Sequence, residues 1–276
     1  MTVKLVKDDW SIGVSPDQGG VLKYVRHLGR DILRPADGNN SDPLLSSCYP
    51  CVPWFGRLYE PLPNLGNPFH VGLTNPSCDP TYPIHGYGWV RSWSVSAQTN
   101  TALTCDLFFH PQREDDFPYS FEASQSVELT EDGLTMTLSL NNNGDKAMPV
   151  GLALHPFFPK HPTTLLKFDA ESFWTPPGDA SSGINDTPPH FDFSAAKPLP
   201  PDGLDHSFME RSSDITVMDE GLCIMIKTDA PHLHVFAPEN ADFFCLEPIT
   251  QLPGAFGEHS LQPNETHKLT MSISVI

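Results

Sequence analysis

The stretch Asp132-Gly133-Leu134-Thr135-Met136-Thr137-Leu138-Ser139-Leu140 decides the fold class. After the Asp-Gly turn signal, apolar residues take every second position and small hydroxyl residues fill the positions between. A period of two puts one row on a buried face and the other toward solvent, whereas a helix repeats every 3.6 residues. The same phase returns at the carboxy end, where Leu269, Met271, Ile273 and Val275 alternate with Thr270, Ser272 and Ser274. Phe121, Ala123, Val127 and Leu129 repeat it again, with Gln125 a polar member of the apolar row. Turn-forming clusters separate such runs, among them Asp17-Gln18-Gly19-Gly20, Asn141-Asn142-Asn143-Gly144-Asp145 and Gln262-Pro263-Asn264-Glu265. No comparable stretch reads as an amphipathic helix. The pattern predicts an all-β protein, a large antiparallel β-sandwich.

Composition supports that reading. Of 276 residues, 29 are proline, roughly twice the usual share, and proline breaks helices and central strands alike. Short strands joined by rigid turns are expected, and a helix bundle is excluded. The length fits one all-β domain spanning residues 1–276. The stretch 175–201, rich in Pro, Gly, Ser and Asp, has strand-like pattern on both sides and reads as a long surface loop inside that domain.

With 34 acidic residues against 16 Lys and Arg, the formal charge is −18. Phosphate backbones and anionic lipids call for basic surfaces, so neither nucleic acid nor membrane is an expected partner. Residues 1–10 have no apolar core followed by a small-residue cleavage site, and no apolar run approaches the length of a membrane span. A cytoplasmic protein, monomer or homodimer, is the expectation. Cys48, Cys51, Cys78, Cys105, Cys223 and Cys245 are too sparse for a disulfide scaffold. The single Cys48-x-x-Cys51 pair has no second pair beside it. His232-x-His234 is a weak pattern and there is no HExxH. Reduced thiols are expected, with no metal and no cofactor.

Five segments set a polar side chain among aromatics, Gly and Pro: Trp54-Phe55-Gly56-Arg57, His85-Gly86-Tyr87-Gly88-Trp89, Leu154-His155-Pro156-Phe157-Phe158, Leu204-Asp205-His206-Ser207-Phe208 and Phe243-Phe244-Cys245-Leu246-Glu247-Pro248. Glu247 ends an apolar run, where a carboxylate is costly unless paired or functional, and burial would raise its pKa toward the range of a general base. His155 follows Val150-Gly151-Leu152-Ala153-Leu154 and precedes a proline that stops the strand. Imidazole titrates near neutrality and can both give and take a proton. An ion-paired strand-end Glu and a hydrogen-bonded structural His are the plain alternatives. Aromatic faces beside His, Arg, Asp and Glu suit a sugar, with apolar C–H faces between hydroxyl rims, although core packing accounts for most aromatics taken singly.

In this order, the segments resemble the aldose 1-epimerase (galactose mutarotase) family over most of the chain. Trp10–Gly20 looks like the opening strand and Gly turn of that family, Gly29-Arg30-Asp31-Ile32-Leu33 like the next hairpin, and Leu261-Gln262-Pro263-Asn264-Glu265-Thr266 like its L-x-P-G-E-T segment with Asn264 for Gly. The resemblance implies that His155, in His-Pro-Phe-Phe, is the general acid and Glu247 the general base. It assigns His85, Arg57 and Asp205 to sugar binding, with Gly56 standing where the family has Asn before the Arg. It also implies a galactose mutarotase-like supersandwich and the interconversion of α and β anomers of a hexose by ring opening, without cofactor. A hexose phosphate is a variant of that substrate, for which Arg57, Arg91 and Lys160 are available cations. The acid and base are expected on opposite sides of the anomeric centre. Two other classes stay open: a glycoside hydrolase using Asp205 or Asp242 as a second carboxylate, and a non-catalytic carbohydrate-binding or regulatory module on the same fold.

Overall fold

The computed structural model describes residues 1–36, 42–58, 84–112, 116–175 and 182–276. Among these residues every strand pairs antiparallel with its neighbours, and helical structure is limited to short 3-10 turns. Three of those turns, Pro16–Gln18, Pro43–Leu45 and Pro189–Phe191, begin with proline, whose missing N–H costs nothing at a first helical position. The all-β antiparallel expectation holds.

A nine-stranded sheet carries the alternating runs. Its centre is Thr266–Val275, Gly133–Asn142 and Phe121–Leu129, paired side by side. In Gly133–Asn142, Leu134, Met136, Leu138 and Leu140 are all buried while the residues between are only partly covered. Gln125 keeps the phase of the buried row. Its side-chain amide donates to the carbonyl of Gly20 at 2.7 Å, so the buried amide ties this sheet to the turn after the second strand.

The second large sheet has eight strands. Its order runs Gly183–Asn185, Ala170–Thr175, Leu204–Arg211, His232–Ala237, Phe243–Ile249, Ala153–Leu154 and Pro50–Cys51, with Phe157–Pro159 also pairing to Phe243–Ile249. One face of this sheet supplies Leu233, Val235, Phe244 and Leu246 to a continuous apolar core shared with Leu134, Met136, Leu138, Leu269 and Met271 of the nine-stranded sheet. The other face is covered by a second cluster that includes Tyr49, Phe55, Trp89, Phe157, Cys245 and Ile249. The strand Phe243–Ile249 is therefore buried on both faces, which is why it reads as a continuous apolar run rather than an alternating one.

The stretch 175–201 is not a plain loop. Gly183–Asn185 adds an edge strand to the eight-stranded sheet and Lys197–Pro198 one to the nine-stranded sheet, so main-chain pairing holds it at both ends. Its Pro and Gly content concealed strands of two and three residues. Cys48, Cys51, Cys105, Cys223 and Cys245 are free thiols, as expected; Cys78 lies outside the described residues.

Candidate active site

Register brings the polar residues together. Ser207 pairs with His234, and His234 pairs with Glu247. His155 lies between the pairings Ala153↔Ile249 and Phe157↔Cys245, so it stands opposite Glu247. Its main-chain N–H donates to Tyr49 O at 3.0 Å, continuing the ladder to the next strand. One row across adjacent strands thus reads Ser207, His234, Glu247, His155, Tyr49. Because side chains alternate between faces, all of these belong to the face turned away from the shared core.

His155 Nε2 lies 3.3 Å from Glu247 Oε1. Both side chains are buried, and neither Glu247 Oε2 nor His155 Nδ1 has a hydrogen-bond partner among the described residues. An unsatisfied carboxyl oxygen in such a place costs free energy unless a ligand completes it. Tyr49 and Phe157 both stack against the His155 ring, with ring centroids at 4.4 and 4.7 Å. Burial pushes the Glu247 carboxyl well above the usual carboxylate range, and the nearby Asp205 charge adds to the effect. Burial likewise holds His155 well below its ordinary value, helped by the imidazoles of His85 and His234. The side chains of His155 and Glu247 thus lie side by side on the same face of the sheet.

His85 stands edge-on to His155, with centroids 5.4 Å apart. Its backbone is left-handed (φ 58°), uncommon for a residue with a side chain, and it is followed by Gly86 at φ 68°. Gly56 N–H donates to His85 Nδ1 at 3.2 Å, so a neutral ring carries its proton on Nε2. Burial lowers the His85 pKa to about 3, with His234 and Arg57 acting in the same direction against Asp205. The neutral ring therefore prevails at physiological pH. Arg57 is half-buried and bridges to Ile84, the residue before His85.

Asp205 lies on the strand Leu204–Arg211 with its side chain 71% exposed, at the open end of the row. Its Oδ1 accepts from His234 Nε2 at 3.0 Å. Surrounding protein desolvates the carboxylate, but the His234 hydrogen bond and the neighbouring imidazoles outweigh that and leave its pKa below the ordinary value. All five residues named from the sequence thus fall in one neighbourhood: His155 and Glu247 in contact, His85 and Arg57 on one flank, Asp205 on the other.

Sequence reasoning passed over His234, Ser207 and Tyr49 as site residues. His234 offered one signal, a histidine between Leu233 and Val235 in a mostly apolar strand, but its partner could be known only from strand order. Among the described residues, His155, Cys245 and Glu247 form the one group whose ligand atoms could surround a metal ion, all within 4.8 Å of one another. Burial pushes the Cys245 thiol well up, with Glu247 adding to the effect, so two of those three groups hold their protons against a cation. Of the cations suited to a phosphate, Lys160 donates to Pro238 O at 3.1 Å and Arg91 sits 5.6 Å above the Tyr87 ring. Arg57 remains beside His85.

Comparison with known proteins bears on this arrangement. The family model described as aldose 1-epimerase matches residues 14–274. The chain is 30% identical over 263 residues to the uncharacterized protein YphB of Escherichia coli K12, covering 86% of this chain and 84% of that one. The crystal structure of a putative aldose 1-epimerase from Escherichia coli K12 superposes with a TM-score of 0.86 at 26% identity, covering 100% of this chain and 99% of that one. That of a galactose 1-epimerase from Lactobacillus acidophilus gives 0.79 at 19% identity, covering 100% and 94%.

Proposed function

The chain belongs to the aldose 1-epimerase family, and from that premise we propose that it interconverts the α and β anomers of a hexose by acid/base-catalysed ring opening. The observation that carries the reading is the buried contact between His155 Nε2 and Glu247 Oε1, with Glu247 Oε2 unpaired among the described residues.

Mutarotation moves one proton off the C1 hydroxyl and puts one on the ring oxygen; the ring opens, the aldehyde turns, and closure on its other face gives the second anomer. The two oxygens are bonded to the same carbon, so an acid and a base side by side suit them better than a facing pair. His155 and Glu247 together need a single mobile proton. Burial favours the form in which both are neutral, with the proton on Glu247. Transfer to His155 across their contact gives the carboxylate base and the imidazolium acid. Glu247 then takes the C1 hydroxyl proton as His155 protonates the ring oxygen, and the roles exchange on closure. His85, as a neutral Nε2–H donor, together with Arg57 and Asp205, orients the ring through its hydroxyls.

Polarimetry of freshly dissolved α-D-glucose and α-D-galactose tests the proposal. The protein should shorten the approach to anomeric equilibrium, and Glu247→Gln and His155→Asn should each remove the acceleration by about two to four orders of magnitude, the range of a lost acid or base. Circular dichroism should show both variants folded. Wild-type turnover in both variants would sink the acid/base assignment, and sugar binding without anomer exchange would favour the binding-module reading.

A further inference from the structure

Both nitrogens of His234 are engaged. Ser207 Oγ lies 2.9 Å from Nδ1 and Asp205 Oδ1 lies 3.0 Å from Nε2. A carboxylate can only accept, so Nε2 carries hydrogen; in a neutral ring Nδ1 is then the acceptor, and the Ser207 hydroxyl donates to it. The three residues repeat the composition of a Ser-His-Asp relay with the order of exposure reversed. Ser207 is buried at the closed end and Asp205 is exposed at the open end. No substrate can reach the hydroxyl for it to act as a nucleophile. What reaches the open end is a carboxylate held by one oxygen, with its Oδ2 lacking a hydrogen-bond partner among the described residues.

We infer that His234 is a positioning residue: anchored through Nδ1 by Ser207, it fixes Asp205 so that the second carboxylate oxygen receives a sugar hydroxyl, and this assignment rests on the sugar-binding reading above. Its place in the row supports it. His234 pairs directly with Glu247, so the relay is fastened to the strand that carries the base, and Asp205 and Glu247 keep a fixed spacing as two strands of one sheet. The imidazole makes an interaction that an apolar residue of similar size cannot, and its buried ring has no free nitrogen with which to touch substrate itself.

The first test does not depend on activity. Long-range proton–nitrogen NMR on the histidine-labelled full chain should show His234 with hydrogen held on Nε2, and Asp205→Ala should lose that fixed position. A wild-type ring with hydrogen on Nδ1 and none on Nε2 would overturn the relay. The second test is kinetic, with D-glucose and D-galactose as probes. His234→Leu should raise KM about tenfold or more, as expected for loss of a hydrogen bond to a charged group, with kcat changed far less. His234→Gln, whose amide can still donate to Asp205, should recover most of the loss. The double variant His234→Leu with Asp205→Asn should be no worse than Asp205→Asn alone, since both remove one interaction. Additive losses, an equal fall in kcat, or a Gln variant no better than Leu would make His234 merely structural. Should His234→Leu fail to fold, Ser207→Ala carries the kinetic test with the same expected split. If the wild type turns over neither sugar, the epimerase reading fails on its own, and the tautomer measurement still decides the relay.

Discussion

Glu247 and His155 are perturbed in opposite directions by one cause. Burial raises the carboxyl and lowers the imidazole, so both favour the neutral form and the pair keeps a single proton over a wide span of pH. A second proton enters only below the ordinary histidine range, and the single proton leaves only above the ordinary carboxylate range. The rate should therefore be flat through neutrality, falling on the acid side as the base is lost and on the alkaline side as the acid is lost. A pH profile of the polarimetric rate constant checks this, and a steep change centred on the ordinary histidine pKa would contradict it. Residue type made these two positions legible in the sequence: a carboxylate closing an apolar run and a histidine before a strand-ending proline have few cheap roles. His234 was not legible in that way. A histidine in a strand has many uses, and its meaning depends on Ser207 and Asp205, which belong to a different strand.

At the scale of elements, the flank that carries His85 rests on close backbone approach. A Cβ on Gly86 would stand 2.1 Å from Val52 O, and the residue has a left-handed φ besides. Gly86→Ala should therefore displace His85, with a large loss of sugar turnover and a melting temperature lowered by several degrees, on the order of 1–3 kcal/mol for a backbone forced out of place. Gly56 differs. Its φ is 73°, but a Cβ there meets nothing nearer than Pro253 at 3.6 Å. Asparagine tolerates the left-handed region better than other side chains. The Gly56 that departs from the family pattern therefore occupies a position where Asn also fits. Gly56→Asn should melt within a few degrees of wild type and keep the His85 contact, since the contact uses only its main-chain N–H. Thermal unfolding of the two variants side by side distinguishes the positions. The short strands Gly183–Asn185 and Lys197–Pro198 escaped sequence reading for a related reason: pairing at sheet edges, not local propensity, makes them strands.

For the whole molecule, the buried site makes stability depend on pH. His85 titrates at its ordinary value of 6.5 when unfolded and at about 3 when folded. Below 6.5 the unfolded chain holds the extra proton, so stability falls as pH falls, by about 1.4 kcal/mol per pH unit from this group until its folded pKa is reached. His155 acts in the same sense. Glu247 has the opposite sign: its raised folded pKa makes the native state hold a proton that the unfolded chain gives up, so its contribution falls as pH rises through the ordinary carboxylate range. Between the ordinary carboxylate and histidine values, two histidines therefore oppose one glutamate. Urea unfolding across that window should show His85→Asn with a shallower slope than wild type, by about 1.4 kcal/mol per pH unit, and Glu247→Gln with a steeper one. Equal slopes in wild type and His85→Asn would mean that the folded protein protonates His85.

The sequence by itself determined the fold class and the chemical vocabulary of the site. A period of two is a local property, legible in Leu134–Leu140 without knowledge of any partner, and each of His155, Glu247, His85, Arg57 and Asp205 stands out in its own segment. The buried row was hardest to read where the rule bends, as at Gln125, whose side-chain N–H donates to a carbonyl on a distant turn. Only the tertiary structure decided which segments lie side by side. Strand order and register are set by long-range pairing and by the burial of both faces of Phe243–Ile249, and neither leaves a mark within a single strand. For that reason the contact of His155 with Glu247, and the relay through His234, emerge only when the sheet is assembled.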